Sequence, residues 1–160
     1  MRLFKIAPKV ENMETIKTAT SEDIPQLADL MGHLFAQEAE FSVDREKQLA
    51  GLRQIVGSQA VGRIFVARSA GTIVGMVSIL FTVSTAEGGP VCWLEDMIVL
   101  PDYRGRAIGS RLIEHAIACA QAEGFRRITL LTDCVNEHAV RFYRRHGFQV
   151  SEMTVMRRNL

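Results

Sequence analysis

An excess of charge of either sign is missing from this chain: nineteen Lys and Arg stand against eighteen Asp and Glu, a formal net charge of +1. No global field therefore argues for a nucleic-acid or anionic-membrane partner, and neither is expected. Cysteine is scarce and odd in number, with three at wide spacing, Cys92, Cys119 and Cys134. Each has apolar neighbours in sequence, as a small core residue would, which suits a reducing compartment; a cytoplasmic location is expected. No CxxC pair occurs and no Cys lies beside a His at ligand spacing, so no metal is expected. Long apolar runs are lacking too. Met1–Val10 mixes charged with apolar residues and holds no stretch resembling a signal peptide, and no run approaches membrane-spanning length. The sequence has no repeats, low-complexity tracts or internal linkers. What remains is 160 residues, the length of one ordinary domain able to bury much of its apolar surface without crosslinks. Met13 opens the first strand-like segment, so residues 1–12 read as an extension and 13–160 as the domain.

Periodicity sets the order of elements. Glu14–Thr20 alternates as a strand, and Ser21 reads as the N-cap of a helix carrying Ile24, Leu27, Leu30, Met31 and Leu34 on one face. Gln37–Val43 is an acidic loop, after which Asp44 caps a second helix with Leu49, Leu52, Ile55 and Val56 at helical intervals. Arg63–Arg68 and Thr72–Val83 form a hairpin around Ser69-Ala70-Gly71. A loop over Ser84–Pro90 leads into Val91–Leu100, a long strand that stops at Pro101. Ile108, Leu112, Ile113, Ala116, Ile117 and Ala120 define an amphipathic helix over Ile108–Ala122, stopped near Gly124. Arg127–Thr132 is a strand, Asn136–His146 a helix ended by Gly147, and Phe148–Val150 and Met153–Arg157 are closing strands. The expected fold is α/β of mixed α+β character: a central mixed sheet with about four flanking helices and a parallel βαβ unit around the Ile108–Ala122 helix.

Within that unit, Arg104-Gly105-Arg106-Ala107-Ile108-Gly109-Ser110 joins strand to helix. The first backbone N–H groups of a helix have no intrahelical partner and lie at the positive end of its dipole, so such a turn suits a pyrophosphate. Gly105 and Gly109 keep side chains out of its way, and Arg104 and Arg106 add positive charge. A tight turn with solvated arginines is the plainer reading of the same residues. A dinucleotide-binding Gly-x-Gly-x-x-Gly is not present.

The run Leu94-Glu95-Asp96-Met97-Ile98-Val99-Leu100-Pro101-Asp102-Tyr103-Arg104-Gly105-Arg106-Ala107-Ile108-Gly109-Ser110 resembles motif A of the GNAT N-acetyltransferase superfamily, R/Q-x-x-G-x-G/A. Asn136, Ala139, Phe142-Tyr143 and His146-Gly147-Phe148 resemble the motif that follows it. With the strand order, the resemblance covers Glu14 to the C-terminus. It comes closest to diamine and polyamine acetyltransferases, which share a Leu-Glu-Asp strand before Tyr-Arg-Gly. One position departs: Ala107 stands where the motif has its first glycine, and its methyl group is expected to weaken or shift pyrophosphate binding.

The resemblance implies acetyl-coenzyme A as cosubstrate, a splayed parallel strand pair, and pantetheine bound as an added strand along the backbone of Met97, Ile98 and Val99. A backbone N–H there would polarise the thioester carbonyl, and Arg104–Ser110 would hold the pyrophosphate. A small-molecule amine then attacks directly. An alkylamine with a pKa of about 10.4 arrives protonated, and Glu95 is the candidate base, directly or through water, with the adjacent Asp96 as its rival. Simple alternation groups Glu95 with Trp93 and Met97, an assignment that a bulge would change. Tyr143 is the candidate acid for the departing thiolate, and Asn136, seven residues earlier, serves as helix cap and pantetheine contact. Glu38, Glu40 and Asp44 would form an acidic wall favouring a dicationic acceptor. His33, His115, His138 and His146 share no spacing and read as surface or helix-end residues, and no base activates Cys92 or Cys134 for a covalent route. The alternatives are a protein lysine or N-terminal acetyltransferase and a non-catalytic acetyl-coenzyme A sensor; the family leaves room for a homodimer.

Overall fold

In the computed structural model the described residues are 14–37 and 42–160; the expected extension over 1–12 and the carboxylates Glu38 and Glu40 lie outside them. The chain separates into two compact units, one ending at Leu130 and the other spanning Leu131–Leu160. The first holds a five-stranded sheet in the order β1-β2-β3-β4-β5. Its strands are β1 (Thr15–Thr18), β2 (Gly62–Ser69), β3 (Thr72–Ser84), β4 (Gly89–Val99) and β5 (Ile128–Leu130). All neighbours are antiparallel except β4 and β5. The expected hairpin is present: Ala70 and Gly71, between β2 and β3, take φ of 48° and 86°, the left-handed pair that a two-residue turn needs to match the twist of its strands.

Helices α1 (Ile24–Phe35), α2 (Arg45–Gly57) and α3 (Ile108–Ala122) cover this sheet. On one face Ile64, Val66, Met76 and Ile98 pack with Leu27, Leu30 and Met31 of α1 and Leu52 of α2. On the other, Phe65 meets His115 of α3 edge to face, with ring centroids 4.8 Å apart. Ile108, Leu112 and Ile113 of α3 are at most 1% exposed, and each such burial contributes about 1.5–3 kcal/mol. Gly75 of β3 leaves α3 its room: a methyl group there would stand 3.2 Å from Leu112 Cδ1 and 3.0 Å from the Ile98 carbonyl oxygen.

Two expectations about the elements are corrected. Ser21 does not cap α1; Ser21–Asp23 is a short 3-10 turn capped by Thr20, whose N–H donates to Asp23 Oδ2 at 2.8 Å. α1 starts at Ile24, with Pro25 in its first turn, where a missing N–H costs nothing. Asp23 is buried and also accepts from Arg68; burial pushes its carboxyl up, but Arg68 and the Thr20 N–H outweigh this and hold it below the usual carboxylate range. The cap expected of Asp44 is made, with Lys47 N–H donating to Asp44 Oδ1 at 3.2 Å.

The second unit is built on α4 (Glu137–Arg145). Asn136 caps it through Oδ1, which accepts from Ala139 N–H at 3.1 Å, and Gly147 ends it at φ 87°. Phe148–Val150 and Met153–Arg157 are not strands: residues 146–160 form no ladder, and Val150, Met153 and Met156 are 68%, 88% and 93% exposed. β-rich composition makes a strand only where a partner edge and a packed face complete it.

Candidate active site

β4 and its exit turn carry most of the expected residues. β5 pairs with β4 across Cys92–Leu94 only, while β4 runs on to Val99. The parallel ladder thus ends before Met97, as the expected splay requires. On the opposite edge, Met97, Ile98 and Val99 stay in register with Val77, Met76 and Gly75 of β3. Between the pairs Leu94 with Ile79 and Met97 with Val77, Glu95 and Asp96 oppose Ser78 alone, a bulge of two residues against one.

The bulge splits the grouping of Glu95 with Trp93 and Met97, which fall on opposite faces. Trp93 pairs with Leu80 and Ile98 with Met76, which places them on the face of Ser78 by alternation in β3, whereas Met97 and Leu94 pair onto the other face. Asp96 shares the face of Ser78: Ser78 Oγ–H donates to Asp96 Oδ2 at 3.1 Å, and Asp96 N–H donates back to Ser78 Oγ at 3.0 Å. Glu95 is exposed, Asp96 is half-buried and Ser78 is fully buried. Ser78 was not singled out in the sequence, because a lone serine in a strand carries no spacing signal.

The exit turn leads straight into α3. Ala107 is the N-cap residue, with φ 57° and ψ 11°, and no side chain caps the helix. The first intrahelical bond is Arg111 N–H to Ala107 O at 3.0 Å, so the N–H groups of Ile108, Gly109 and Ser110 have no intrahelical acceptor. Gly105 takes φ 76° with nothing within 4 Å of where a side chain would start. Arg104, Gly105, Arg106 and Ala107 are all exposed. Both arginines are tethered: Arg104 Nε donates to Val99 O at 3.0 Å and its Nη2 to Gln37 Oε1 at 3.3 Å. Arg106 Nη2 donates to Asp102 O at 3.1 Å, with its guanidinium 5.0 Å from the Tyr103 ring centre. These contacts hold two positive groups at the helix start and leave guanidinium donors to spare. Ala107 imposes more than a methyl group: a left-handed backbone at a residue with Cβ costs about 1–2 kcal/mol, and glycine removes that cost.

In the second unit, Tyr143 is half-buried, its ring 5.4 Å from Phe142 and 5.8 Å from Phe148 between centroids. Asn136 is exposed and uses its oxygen on the helix cap, a bond that does not engage its NH2 group. Cys92 is buried, and burial foremost, with Cys119 behind it, pushes its thiol up to about 11; a thiolate nucleophile does not form there at neutral pH. His146 Nδ1 lies 2.9 Å from Phe142 O. Among the described residues no group of three His, Cys, Asp or Glu side chains is gathered as metal donors would be, and no helix is long and apolar enough to cross a membrane.

Comparison with known proteins places this arrangement in a family. The chain belongs to the acetyltransferase (GNAT) family, whose model matches residues 27–148, a family of acyl-coenzyme A dependent enzymes. It is 28% identical over 140 residues to an uncharacterised N-acetyltransferase of Methanocaldococcus jannaschii, covering 87% of this chain and 62% of that protein. It is 27% identical over 138 residues to the glucosamine 6-phosphate N-acetyltransferase of Trypanosoma brucei brucei, covering 86% and 90%. Identity to the aminoalkylphosphonate N-acetyltransferase of Salmonella typhimurium is 28% over 136 residues, covering 85% of each chain. Among solved structures, an integron cassette protein from a salt-marsh metagenome shares the fold with a TM-score of 0.80 at 24% identity, covering 91% of this chain and 90% of that one. The expected family and the mixed sheet with its splayed parallel pair are both met.

Proposed function

We propose that this protein transfers the acetyl group of acetyl-coenzyme A to a primary amine of a small molecule by direct attack in a ternary complex, with residues 13–160 as the transferase domain. The observation that carries the reading is the start of α3. Three N–H groups without intrahelical acceptors, a left-handed N-cap, an open Gly105 and two tethered arginines adjoin a strand whose parallel ladder ends before Met97. That is the chemistry a pyrophosphate with an extended amide-bearing arm requires.

In this reading Arg104, Gly105, Arg106, Ala107, Ile108, Gly109 and Ser110 hold the pyrophosphate, and the backbone of Met97, Ile98 and Val99 takes the pantetheine arm. Bound acetyl-coenzyme A supplies the acetyl group as an activated thioester. Glu95 accepts the proton of the incoming ammonium, directly or through water, because it is the exposed carboxylate of the adjacent pair. Tyr143 gives a proton or hydrogen bond to the departing thiolate, and the Asn136 NH2 group donates to a pantetheine carbonyl. The names of two relatives, acting on glucosamine 6-phosphate and on aminoalkylphosphonates, support a small primary amine over a protein acceptor.

The test is cofactor binding by calorimetry. Gly109→Glu places bulk and a negative charge beside the pyrophosphate, and acetyl-coenzyme A affinity is expected to fall by at least about a hundredfold. A folded Gly109→Glu protein that binds as tightly as the wild type removes the site from α3.

A further inference from the structure

We infer that Ser78 is a positioning residue for acetyl transfer: its buried hydroxyl latches Asp96 and so holds Glu95 outward as the carboxylate available to the amine. The inference rests on the reading of Glu95 as the base.

A bulge gives β4 one residue more than β3 can pair, and its extra N–H needs an acceptor. Ser78 supplies one from a side chain, accepting from Asp96 N–H at 3.0 Å and returning its own proton to Asp96 Oδ2 at 3.1 Å. The ring of two bonds closes at a hydroxyl that is 0% exposed. No water replaces it without opening the sheet, and its loss leaves a half-buried N–H and carboxylate without that partner. The latch also separates two carboxylates that adjacency makes equivalent in the sequence. Asp96 is held against the sheet by an O–H donor, while Glu95 stays exposed on the same bulge. The latch spares the cofactor edge, because Met97, Ile98 and Val99 keep their own register with β3. Ser78 therefore acts on the acceptor's proton and not on acetyl-coenzyme A.

The measurements are steady-state kinetics with an amine that the wild type uses, and amide exchange at Asp96. Ser78→Ala is expected to lower kcat about tenfold to a hundredfold, the equivalent of one charge-assisted hydrogen bond, with the KM for acetyl-coenzyme A within about twofold. Ser78→Cys nearly keeps the volume but bonds weakly, and is expected to lose kcat in the same way, which covers an Ala variant that fails to fold. If the hydroxyl works through Asp96, Ser78→Ala combined with Asp96→Ala loses no more than the worse single variant. The Asp96 amide, slow to exchange in the wild type, speeds up in Ser78→Ala. Folded Ser78→Ala and Ser78→Cys with wild-type kcat, or losses that multiply in the double variant, overturn the assignment. A wild type that releases no thiol with any amine defeats the transferase reading instead, and an Asp96 amide indifferent to Ser78 then defeats the latch separately.

Discussion

Tyr143 is a packing residue to which the proposed reaction adds a chemical role. Its ring lies between Phe142 and Phe148, and a phenylalanine in its place keeps both contacts and loses only the hydroxyl. Tyr143→Phe is accordingly expected to lower kcat by about tenfold to a thousandfold, with little change in the KM for acetyl-coenzyme A. A wild-type kcat, measured where chemistry limits the rate, would reduce Tyr143 to packing. The resemblance made this residue and Asn136 candidates, and their spacing, a cap and a position two turns later, is a local property of one helix that the sequence shows. Glu95 and Asp96 were legible as a pair, but their division was not. Which of two adjacent carboxylates faces outward depends on the register with β3, and the residue that fixes it, Ser78, lies eighteen positions from Asp96 along the chain.

Among the elements, α3 was read to the residue, Ile108–Ala122. Its apolar stripe, the preceding turn and Gly124 are all local signals, and none competes with another. The closing strands over Phe148–Val150 and Met153–Arg157 failed for the opposite reason, since a strand is defined by a partner that composition does not name. The bulge in β4 belongs to the same class of hidden feature. The start of α3 carries its own prediction. Ala107 holds φ 57°, a conformation in which Cβ crowds the backbone, so Ala107→Gly relieves strain that exceeds the extra chain entropy glycine loses on folding. The variant is expected to gain about 1 kcal/mol, raising Tm by about 2–4 °C. The same change removes the methyl group from the pyrophosphate side and is expected to tighten acetyl-coenzyme A. A lower or unchanged Tm by calorimetry would show that the left-handed turn is not strained.

For the whole molecule, the near balance of charge, +1 over 160 residues, leaves recognition of the acceptor to local groups. Of the proposed acidic wall the structure describes Asp44, whose Oδ1 accepts the α2 cap bond and whose Oδ2 lies 3.6 Å from Lys47 Nζ. A wall of Glu38 and Glu40 would favour a diamine over a matched monoamine and lose that preference as salt is added. The phosphorylated and phosphonate acceptors of the relatives would instead need a cation. The measurement that bears most directly on the whole account is therefore release of coenzyme A thiol from acetyl-coenzyme A by the purified protein, with the acceptor varied. Diamines, monoamines of equal length, an amino sugar phosphate, an aminoalkylphosphonate and a lysine peptide make up the series. The account predicts no release above background until a small primary amine is added, then release matched one for one by acetylated amine in the mass spectrum. Tight binding of acetyl-coenzyme A with no thiol release for any amine, or release with the peptide alone, would contradict it.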